Sequence, residues 1–328
     1  MAEAGLLAGF DAGQTHTTCR LARVGDGQVL AEGEGPGVCH LAAPDGEQRF
    51  RQALRGALAA ASERLPGGGA DARLRAAAVG ASGIEQGSAV QERGQALAAQ
   101  ALGLPPQRLW VSGDERTALH GAFPDGAGIV VISGTGTIAV GRNAAGQEHR
   151  CGGWGWLLDG AGAAMDIGRD GLALSLRMAD GRRPDSPLRA ALWEALGLEA
   201  DAPDAAQRIK ALVVTPAFGP AGFARLAPVV QRLAGAGDRD ATRILQHSAE
   251  ALAEMVAGVA AALGLEAPAV CPMGGALEHL EGLRRGFATS LAAALPGAQL
   301  RSARGDACAG ALHLAARLAD GATGWPRD

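Results

Sequence analysis

Lysine is almost absent from this chain, and its scarcity excludes two large classes of phosphotransferase. The 328 residues contain a single lysine, Lys210, and no Gly-Lys-Ser or Gly-Lys-Thr segment. A Walker P-loop places its lysine on the β- and γ-phosphates, and a protein kinase needs a lysine on a core strand. Both classes are therefore excluded. If the chain binds nucleotide phosphates, it does so with backbone amides, hydroxyls and a metal.

Paired cysteines, long apolar runs and a basic excess are also missing. The five cysteines are far apart with no Cys-x-x-Cys, so we expect neither a disulfide framework nor a zinc site, and we expect a reducing, cytoplasmic compartment. No apolar run approaches the roughly 20 residues of a membrane helix, and Glu3 stands where a signal peptide carries basic residues. The net charge of −4 points to no nucleic-acid and no membrane partner.

The pattern of apolar residues predicts one α/β motif that occurs twice. The strands LLAGF, TTCRLARV and QVLAEGEG begin the order β-β-β-α-β-α-β-α, whose last helix opens at Glu115. GIVVISG and TIAVGRN begin a second copy. A helical stretch over 160–265, a strand in APAVCPMGG, a helix over 277–295, the strand AQLRS and a final helix over 306–319 follow. A chain of 328 residues fits two domains.

Two strand ends combine glycines with hydroxyl side chains. In GFDAGQTHTT, residues 9–18, Asp11 and three threonines follow an apolar run, where a tight turn needs only two permissive residues. IVVISGTGTIAVG, residues 129–141, repeats the arrangement. Such loops suit an oxyanion with a metal beside it, and an ordinary surface turn is the alternative for the first. GTGTIA also fits the dinucleotide fingerprint, but it continues as a strand, whereas the fingerprint must open a helix.

A third glycine turn and one acid complete the candidate set. Gly274 and Gly275 lie between a buried strand and a helix, where a flat ligand such as adenine can approach the backbone. A plain strand-to-helix turn is the alternative. Asp114 lies where a parallel strand ends and a helix begins, the position at which α/β folds present ligands. An Asp there also serves as an N-cap, so both roles stay open.

In order along nearly the whole chain, these segments resemble the N-acetylglucosamine and glucosamine kinase group of the BadF/BadG/BcrA/BcrD ATPase family, within the superfamily of sugar kinases, actin and heat-shock chaperones. The resemblance is carried by FDAGQTHT, SGDERTAL, VISGTGTIA, CGGWGWLLDGAGAAMDIGRDGL, CPMGGAL and GDACAGALHLAARL. It implies two RNase H-like domains around a central nucleotide and sugar cleft. The N-terminal domain would span 1–118 together with the last helix, about 306–319, and the C-terminal domain 119–305.

The resemblance also implies roles for individual residues in phosphoryl transfer from MgATP to an amino sugar. Asp114 would take the proton from the attacking sugar hydroxyl, and Asp11 would organise Mg²⁺ through water. ATP would contact Asp11, Gly13, Gln14, Thr15, Gly134, Thr135, Gly136, Thr137, Gly274 and Gly275. The sugar would contact His40, Gly153, Trp154 and Asp159, with a place in the core as the alternative for Trp154. A homodimer rests on the resemblance alone.

The sugar side departs from the family pattern. After Gly-Gly-Trp-Gly the family continues close to x-L-x-G-D-E-G-S, whereas here Gly160 and Ala161 occupy the Asp and Glu positions. Asp159, one position earlier, is the candidate replacement, and Cys39-His40 stands in place of an Asn-His pair. Two alternatives therefore stay open. One is an ATPase activator of an acyl-CoA dehydratase or reductase system, with an iron–sulfur cluster on cysteines shared between subunits. The other is a non-catalytic sugar or nucleotide sensor.

Overall fold

The computed structural model of the protein describes residues 5–66, 73–199 and 201–321. They form two compact units. The first unit consists of the residues up to Gly126 and those from Ser302 onward, and the second of Ala127–Arg301. The domain ends expected from the sequence, at 118 and 305, stay a prediction. Within the described ranges, no helix is both long and apolar enough to cross a membrane.

The helices and strands of the described residues follow one another in a mixed α/β order. They are β1 (Gly5–Ala12), β2 (His16–Arg23), β3 (Val29–Pro36), α1 (Gly46–Glu63), β4 (Arg73–Ala81), α2 (Ala89–Leu102), a 3₁₀ turn (Pro106–Arg108), β5 (Leu109–Ser112), α3 (Asp114–Ala122), β6 (Gly128–Ser133), β7 (Thr137–Arg142), β8 (Glu148–Gly152), α4 (Ala164–Ala179), α5 (Pro187–Ala195), α6 (Ala205–Val213), α7 (Gly219–Ala224), α8 (Ala227–Gly235), α9 (Arg239–Leu263), β9 (Ala269–Met273), α10 (Gly275–His279), α11 (Glu281–Ala294), β10 (Gln299–Leu300) and α12 (Ala307–Ala319).

Each unit contains one five-stranded mixed sheet, and the two sheets share one topology. The first has the order β3-β2-β1-β4-β5, and the second, taken from the corresponding edge, the order β8-β7-β6-β9-β10. In both, the first three strands pair antiparallel as a meander, and the other two pair parallel. The α/β duplication expected from the sequence is therefore confirmed, and this strand order is the one expected of RNase H-like domains.

Three local expectations differ from the structure. Strand β8 was not predicted, because Glu148, His149 and Arg150 give it no apolar alternation. The helix expected over 277–295 is divided into α10 and α11 by Leu280, whose backbone is extended. Helix α3 opens one residue earlier than expected, at Asp114.

Glycines allow helices to lie directly against backbone in the first unit. A Cβ at Gly33 of β3 would clash with the backbone of α1 at Ala61. A Cβ at Gly310 of α12 would clash with the carbonyl oxygen of Thr117 in α3. Because neither position has room for even one methyl group, the strand–helix and helix–helix spacings depend on these two glycines.

Helix α12 is anchored at its N-terminus by one carboxylate. Asp306 caps the helix by accepting a hydrogen bond from the Ala309 N–H at 2.8 Å. The same carboxylate accepts two hydrogen bonds from the guanidinium of Arg20 in β2, at 2.8 and 2.9 Å. These bonds with Arg20 lower the pKa of Asp306, so the carboxylate stays charged. Because β2 pairs with β1, the bond to Arg20 holds the Asp306 carboxylate close to β1.

We predict that Gly310→Ala lowers the free energy of unfolding by about 1–3 kcal/mol or more, because the added methyl overlaps the Thr117 carbonyl. Urea unfolding of both proteins measures the difference. The matched control is Gly235→Ala at the end of α8, where a Cβ meets no atom within 4 Å. The control should change stability by less than about 1 kcal/mol. Equal losses in the two variants would contradict the packing explanation.

Candidate active site

The carboxyl ends of three neighbouring strands bring two carboxylates to one edge of the first sheet. Asp11 of β1 pairs with Gly80 of β4, and Gly80 pairs with Ser112 of β5, so the three residues form one row across the sheet. Adjacent strands lie about 4.8 Å apart. Immediately after Ser112 the chain turns through Gly113 into α3, whose first residue is Asp114. Asp11 and Asp114 therefore belong to the same sheet edge.

The start of α3 packs against β4 at Gly80, which has no side chain. A Cβ at Gly80 would clash with the hydroxyl of Thr117, which in turn donates a hydrogen bond to the Asp114 carbonyl at 2.9 Å. The N-cap of α3 is Gly113, so the N-cap role considered for Asp114 is not the one in this structure. Asp114 is instead the first helical residue.

Both carboxylates of this edge cost more to ionise than exposed ones, and burial is the main cause. Burial raises the pKa of Asp11 to about 6, and the charges of Asp114 and Asp306 add to the effect, while His16 opposes it. Burial also raises the pKa of Asp114, and backbone N–H groups at Glu115 and Asp114 offset part of that rise. Asp114 is consequently a better proton acceptor than an exposed Asp, and the edge as a whole favours a bound cation.

The loop after β1 presents polar groups to solvent on a fixed backbone. Gln14 and Thr15 are exposed. The loop is fixed by the Val38 N–H, which donates to the Gly13 carbonyl at 2.9 Å, and by Gly37, where a Cβ would clash with the Gln14 carbonyl. At Gly13 itself, a Cβ would meet only one carbonyl oxygen, at 3.4 Å. The fold therefore has room for a side chain at Gly13.

Sequence reasoning missed two polar neighbours of this loop. Ser82 follows β4 directly, and its hydroxyl lies 3.5 Å from the Gln14 amide nitrogen. His16 is exposed at the start of β2, and its charge lowers the pKa of Asp11. Ser82 could have been found from its place just after a buried strand, the same signal that singled out Asp114.

In the second unit, the loop between β6 and β7 is closed by its own backbone. The Gly134 N–H donates to the Gly136 carbonyl at 2.9 Å, and Thr135 and Gly136 are exposed. A Cβ at Gly134 or Gly136 would meet no atom within 4 Å. Thr137 is different, because it is buried and its hydroxyl donates to the Ala161 carbonyl at 3.2 Å. Its hydroxyl thus serves the protein's own packing.

The segment that departs from the family pattern is tied to this same loop. Besides the bond from Thr137 to Ala161, the Ser133 hydroxyl donates to the Gly162 carbonyl at 2.6 Å, and the Ala164 N–H donates to the Gly134 carbonyl at 2.9 Å. These bonds use backbone carbonyls and an amide of residues 161–164, so the loss of acidic side chains at 160 and 161 does not weaken them.

The third glycine turn contains one glycine that the fold requires and one that it does not. Gly274 has a φ of +93°, and a Cβ there would lie 2.5 Å from the Ser133 carbonyl oxygen. At Gly275, the first residue of α10, a Cβ would come no nearer to another group than 3.7 Å from His279. The turn thus lies directly beside Ser133, the residue before the Gly134 loop.

Of the residues expected to contact the sugar, His40 lies in the first unit. It is exposed, and its Nδ1 accepts a hydrogen bond from the Ala42 N–H at 3.2 Å. A neutral imidazole whose Nδ1 accepts carries its proton on Nε2, so His40 offers a donor to solvent. The ring lies beside Gly83, just after β4.

The other expected sugar contacts lie after β8 in the second unit. Trp154 is 61% exposed, with the Arg150 guanidinium 4.5 Å from its ring centroid, so the core alternative for Trp154 is wrong. Gly153 has a φ of +76°. Asp159 is half-buried. One of its carboxylate oxygens lies 3.5 Å from the position that a Cβ on Gly152 would take. This segment offers a ligand an aromatic face and one carboxylate.

A magnesium ion fits the first unit through Asp11 and water. In the described part of the chain, no group of three or more His, Cys, Asp and Glu side chains is placed to hold a metal directly. Mg²⁺ keeps several of its waters and is often held by one or two carboxylates together with substrate phosphates. The half-buried Asp11 carboxylate, with a second carboxylate on the same sheet edge, is suited to such a water-mediated ion.

Comparison with known proteins identifies relatives along most of the chain. The model of the BadF/BadG/BcrA/BcrD ATPase family matches residues 8–315. An N-acetylmuramic acid/N-acetylglucosamine kinase of Clostridium acetobutylicum is 30% identical over 210 residues, which cover 63% of this chain and 67% of that protein. An N-acetyl-D-glucosamine kinase of Dictyostelium discoideum is 31% identical over 196 residues, covering 57% of this chain and 59% of that protein.

Solved structures show similarity over a larger share of the chain. A Chromobacterium violaceum protein proposed to be an N-acetylglucosamine kinase superimposes with a TM-score of 0.74 at 28% identity, covering 94% of this chain and 98% of that one. A ROK hexokinase of Thermus thermophilus superimposes with a TM-score of 0.57 at 19% identity, covering 94% and 97%. The second likeness concerns the fold alone.

The raised pKa of Asp11 predicts that Asp11→Asn stabilises the ligand-free protein at neutral pH. The folded-state pKa of about 6 exceeds the ordinary value of 3.8, so the stability that Asp11 contributes is present below pH 4 and is lost as the pH rises through 6. The variant's advantage in free energy of unfolding should therefore grow by about 1–3 kcal/mol between pH 4 and 7.5. Urea unfolding without Mg²⁺ or nucleotide measures it.

Asp26→Asn serves as the control for this titration. Hydrogen bonding from the Gln28 N–H lowers the pKa of Asp26, so its effect on stability should have the opposite sign. An Asp11→Asn difference that stays constant with pH would contradict the assigned titration.

Proposed function

Because the chain belongs to the BadF/BadG/BcrA/BcrD ATPase family, we propose that it is an ATP-dependent kinase that phosphorylates a hydroxyl of an amino sugar. The observation that carries the proposal is the sheet edge with Asp11 and Asp114, where burial raises both carboxylate pKa values. The two relatives of about 30% identity that are N-acetylglucosamine kinases support the substrate class. N-acetylglucosamine and glucosamine are the proposed acceptors.

In the proposed reaction, the sugar hydroxyl oxygen forms a bond to the γ-phosphorus as the bond to the ADP oxygen breaks. Asp114 accepts the hydroxyl proton, and its raised pKa brings it closer to the pH at which a general base works best. Backbone amides and hydroxyls of residues 13–15 and 134–136 bind phosphate oxygens without lysine. Mg²⁺ beside Asp11 would supply neutralisation of phosphate charge, which phosphoryl transfer requires.

The proposed sugar contacts supply a donor, an aromatic face and an acceptor. They are the His40 Nε2–H, the exposed Trp154 ring and the Asp159 carboxylate. Asp166, another acid of this region, is buried and contacts the Arg169 guanidinium, so it is already engaged. Asp159 is therefore the acid that we assign to the acceptor.

Three further features belong to the proposal. The five free cysteines support a cytoplasmic location. Mg²⁺ is supported by the Asp11 carboxylate, and a homodimer by the family resemblance alone.

The first experiment measures ADP release from MgATP with N-acetylglucosamine, glucosamine, N-acetylmuramic acid, glucose and mannose, and without sugar. We expect turnover that depends on an amino sugar. Asp114→Asn should lower kcat about 10²–10⁴-fold, because the variant cannot accept the proton, and should leave ATP affinity nearly unchanged. Calorimetry with a non-hydrolysable ATP analogue checks the affinity.

Two results would redirect the assignment. An unchanged kcat in Asp114→Asn would remove this residue from the mechanism. Tight binding of ATP and sugar without turnover in the native protein would favour the sensor.

Gly134→Ala tests whether the β6–β7 loop binds ATP. Its new methyl group would enter space that no protein atom occupies, so thermal stability should stay the same. If a phosphate uses that space, affinity for the MgATP analogue should fall about tenfold or more. Gly25→Ala, at another position with no atom within 4 Å, is the control and should bind normally. Normal binding by Gly134→Ala would place the phosphates elsewhere.

A further inference from the structure

A polar pocket lies on the second unit, away from the loop that contains Gly134. It has a volume of about 300 Å³ and is formed by α4, the turn that follows it, and the start of α9. Arg177 of α4, Arg183 of the turn and Arg243 of α9 line it. Arg177 is thirteen residues along α4 from Ala164, which bonds to Gly134, and this corresponds to about 20 Å. The pocket is thus separate from the candidate phosphate loops.

Each acid of the pocket lies within 4 Å of an arginine. Asp170 lies 3.5 Å from the guanidinium of Arg169, which is outside the lining. Asp240 lies 3.4 Å from Arg243, which is inside it. Arg169 also contacts the buried Asp166, so two acids share it, whereas Asp240 has Arg243 to itself.

Two arginines of the lining, Arg177 and Arg183, take part in neither of these pairs. In the described part of the chain, the side chains of Arg177 and Arg183 form no ion pair and no hydrogen bond. The Arg183 N–H donates to the Arg177 carbonyl at 3.0 Å, so both side chains start from one turn. The acid of that turn, Asp180, is bound by Arg182 at 2.6 Å. With three arginines and two acids, the lining carries a net charge of about +1.

An ordinary structural role explains only part of this arrangement. Arg177 is in the last turn of α4, where a positive charge offsets the helix dipole. That role does not require Arg183, and it does not require a cavity. A planar guanidinium group donates two parallel hydrogen bonds to two phosphate oxygens. A phosphate ester carries close to two negative charges at neutral pH.

We propose that this pocket binds a small phosphate monoester of sugar-phosphate size, held by Arg177 and Arg183. Its volume is at the lower end of the range for small-molecule sites. Ala173, Leu174 and Ile244 provide apolar surface for the body of the ligand. The described lining contains no aromatic side chain on which a nucleotide base would stack, which favours a sugar phosphate over a nucleotide. The site does not depend on the proposed kinase activity.

The test is calorimetry on the full chain saturated with the magnesium complex of a non-hydrolysable ATP analogue, so that nucleotide sites are filled. The probes are N-acetylglucosamine 6-phosphate, inorganic phosphate and neutral N-acetylglucosamine. Each is titrated into the native protein and into Arg177→Gln, Arg183→Gln and Arg182→Gln. Arg182 is the matched control, because it is next to Arg183, similarly exposed and bound to Asp180 outside the pocket.

We expect the sugar phosphate to bind the native protein and to lose affinity at least tenfold in Arg177→Gln and in Arg183→Gln. Arg182→Gln should bind it normally, and all four proteins should bind the neutral sugar equally. Absence of binding, or equal affinity in all four proteins, would overturn the site. Inorganic phosphate binding as tightly as the ester would overturn the assignment to a monoester.

Discussion

The absence of a side chain at Gly80 determines the geometry of the candidate catalytic edge. The Thr117 hydroxyl occupies the space that a Cβ on β4 would fill, so α3 can lie against the sheet and begin immediately after β5. Asp114 is thereby placed on the same sheet edge as Asp11 and is half-buried there. One methyl group at position 80 would displace the helix and with it the proposed base.

The glycines of this chain serve two different physical purposes. Gly80, Gly310 and Gly274 are required because a Cβ would overlap neighbouring atoms. Gly13 and Gly134 have room for a methyl group, so packing does not explain them. A ligand that contacts backbone amides needs open space beside the loop. The protein leaves such space at these two positions. Packing therefore leaves Gly13 and Gly134 free for the proposed phosphate contacts, and sequence patterns alone do not separate the two sets.

Sequence periodicity was sufficient for the repeated α/β architecture, since each central strand is an apolar run bounded by glycines. It was insufficient for β8, whose Glu148, His149 and Arg150 resemble a polar turn and become a strand by pairing with β7. Thr137, whose phosphate contact stays a prediction, shows a related limit. Its hydroxyl is used by the Ala161 carbonyl, a residue 24 positions away. No local pattern reports such a partner.

By itself, the sequence determined that phosphates cannot be bound by a P-loop lysine, that the chain repeats one α/β motif, and that polar residues follow its buried strands. These properties depend on composition and on neighbours along the chain. Only the tertiary structure decided that Asp11 and Asp114 share an edge, that Trp154 is exposed, and that Arg177 and Arg183 form no ion pair within the described residues. Burial and Coulomb interactions act through space, so they are set by residues that the fold brings together.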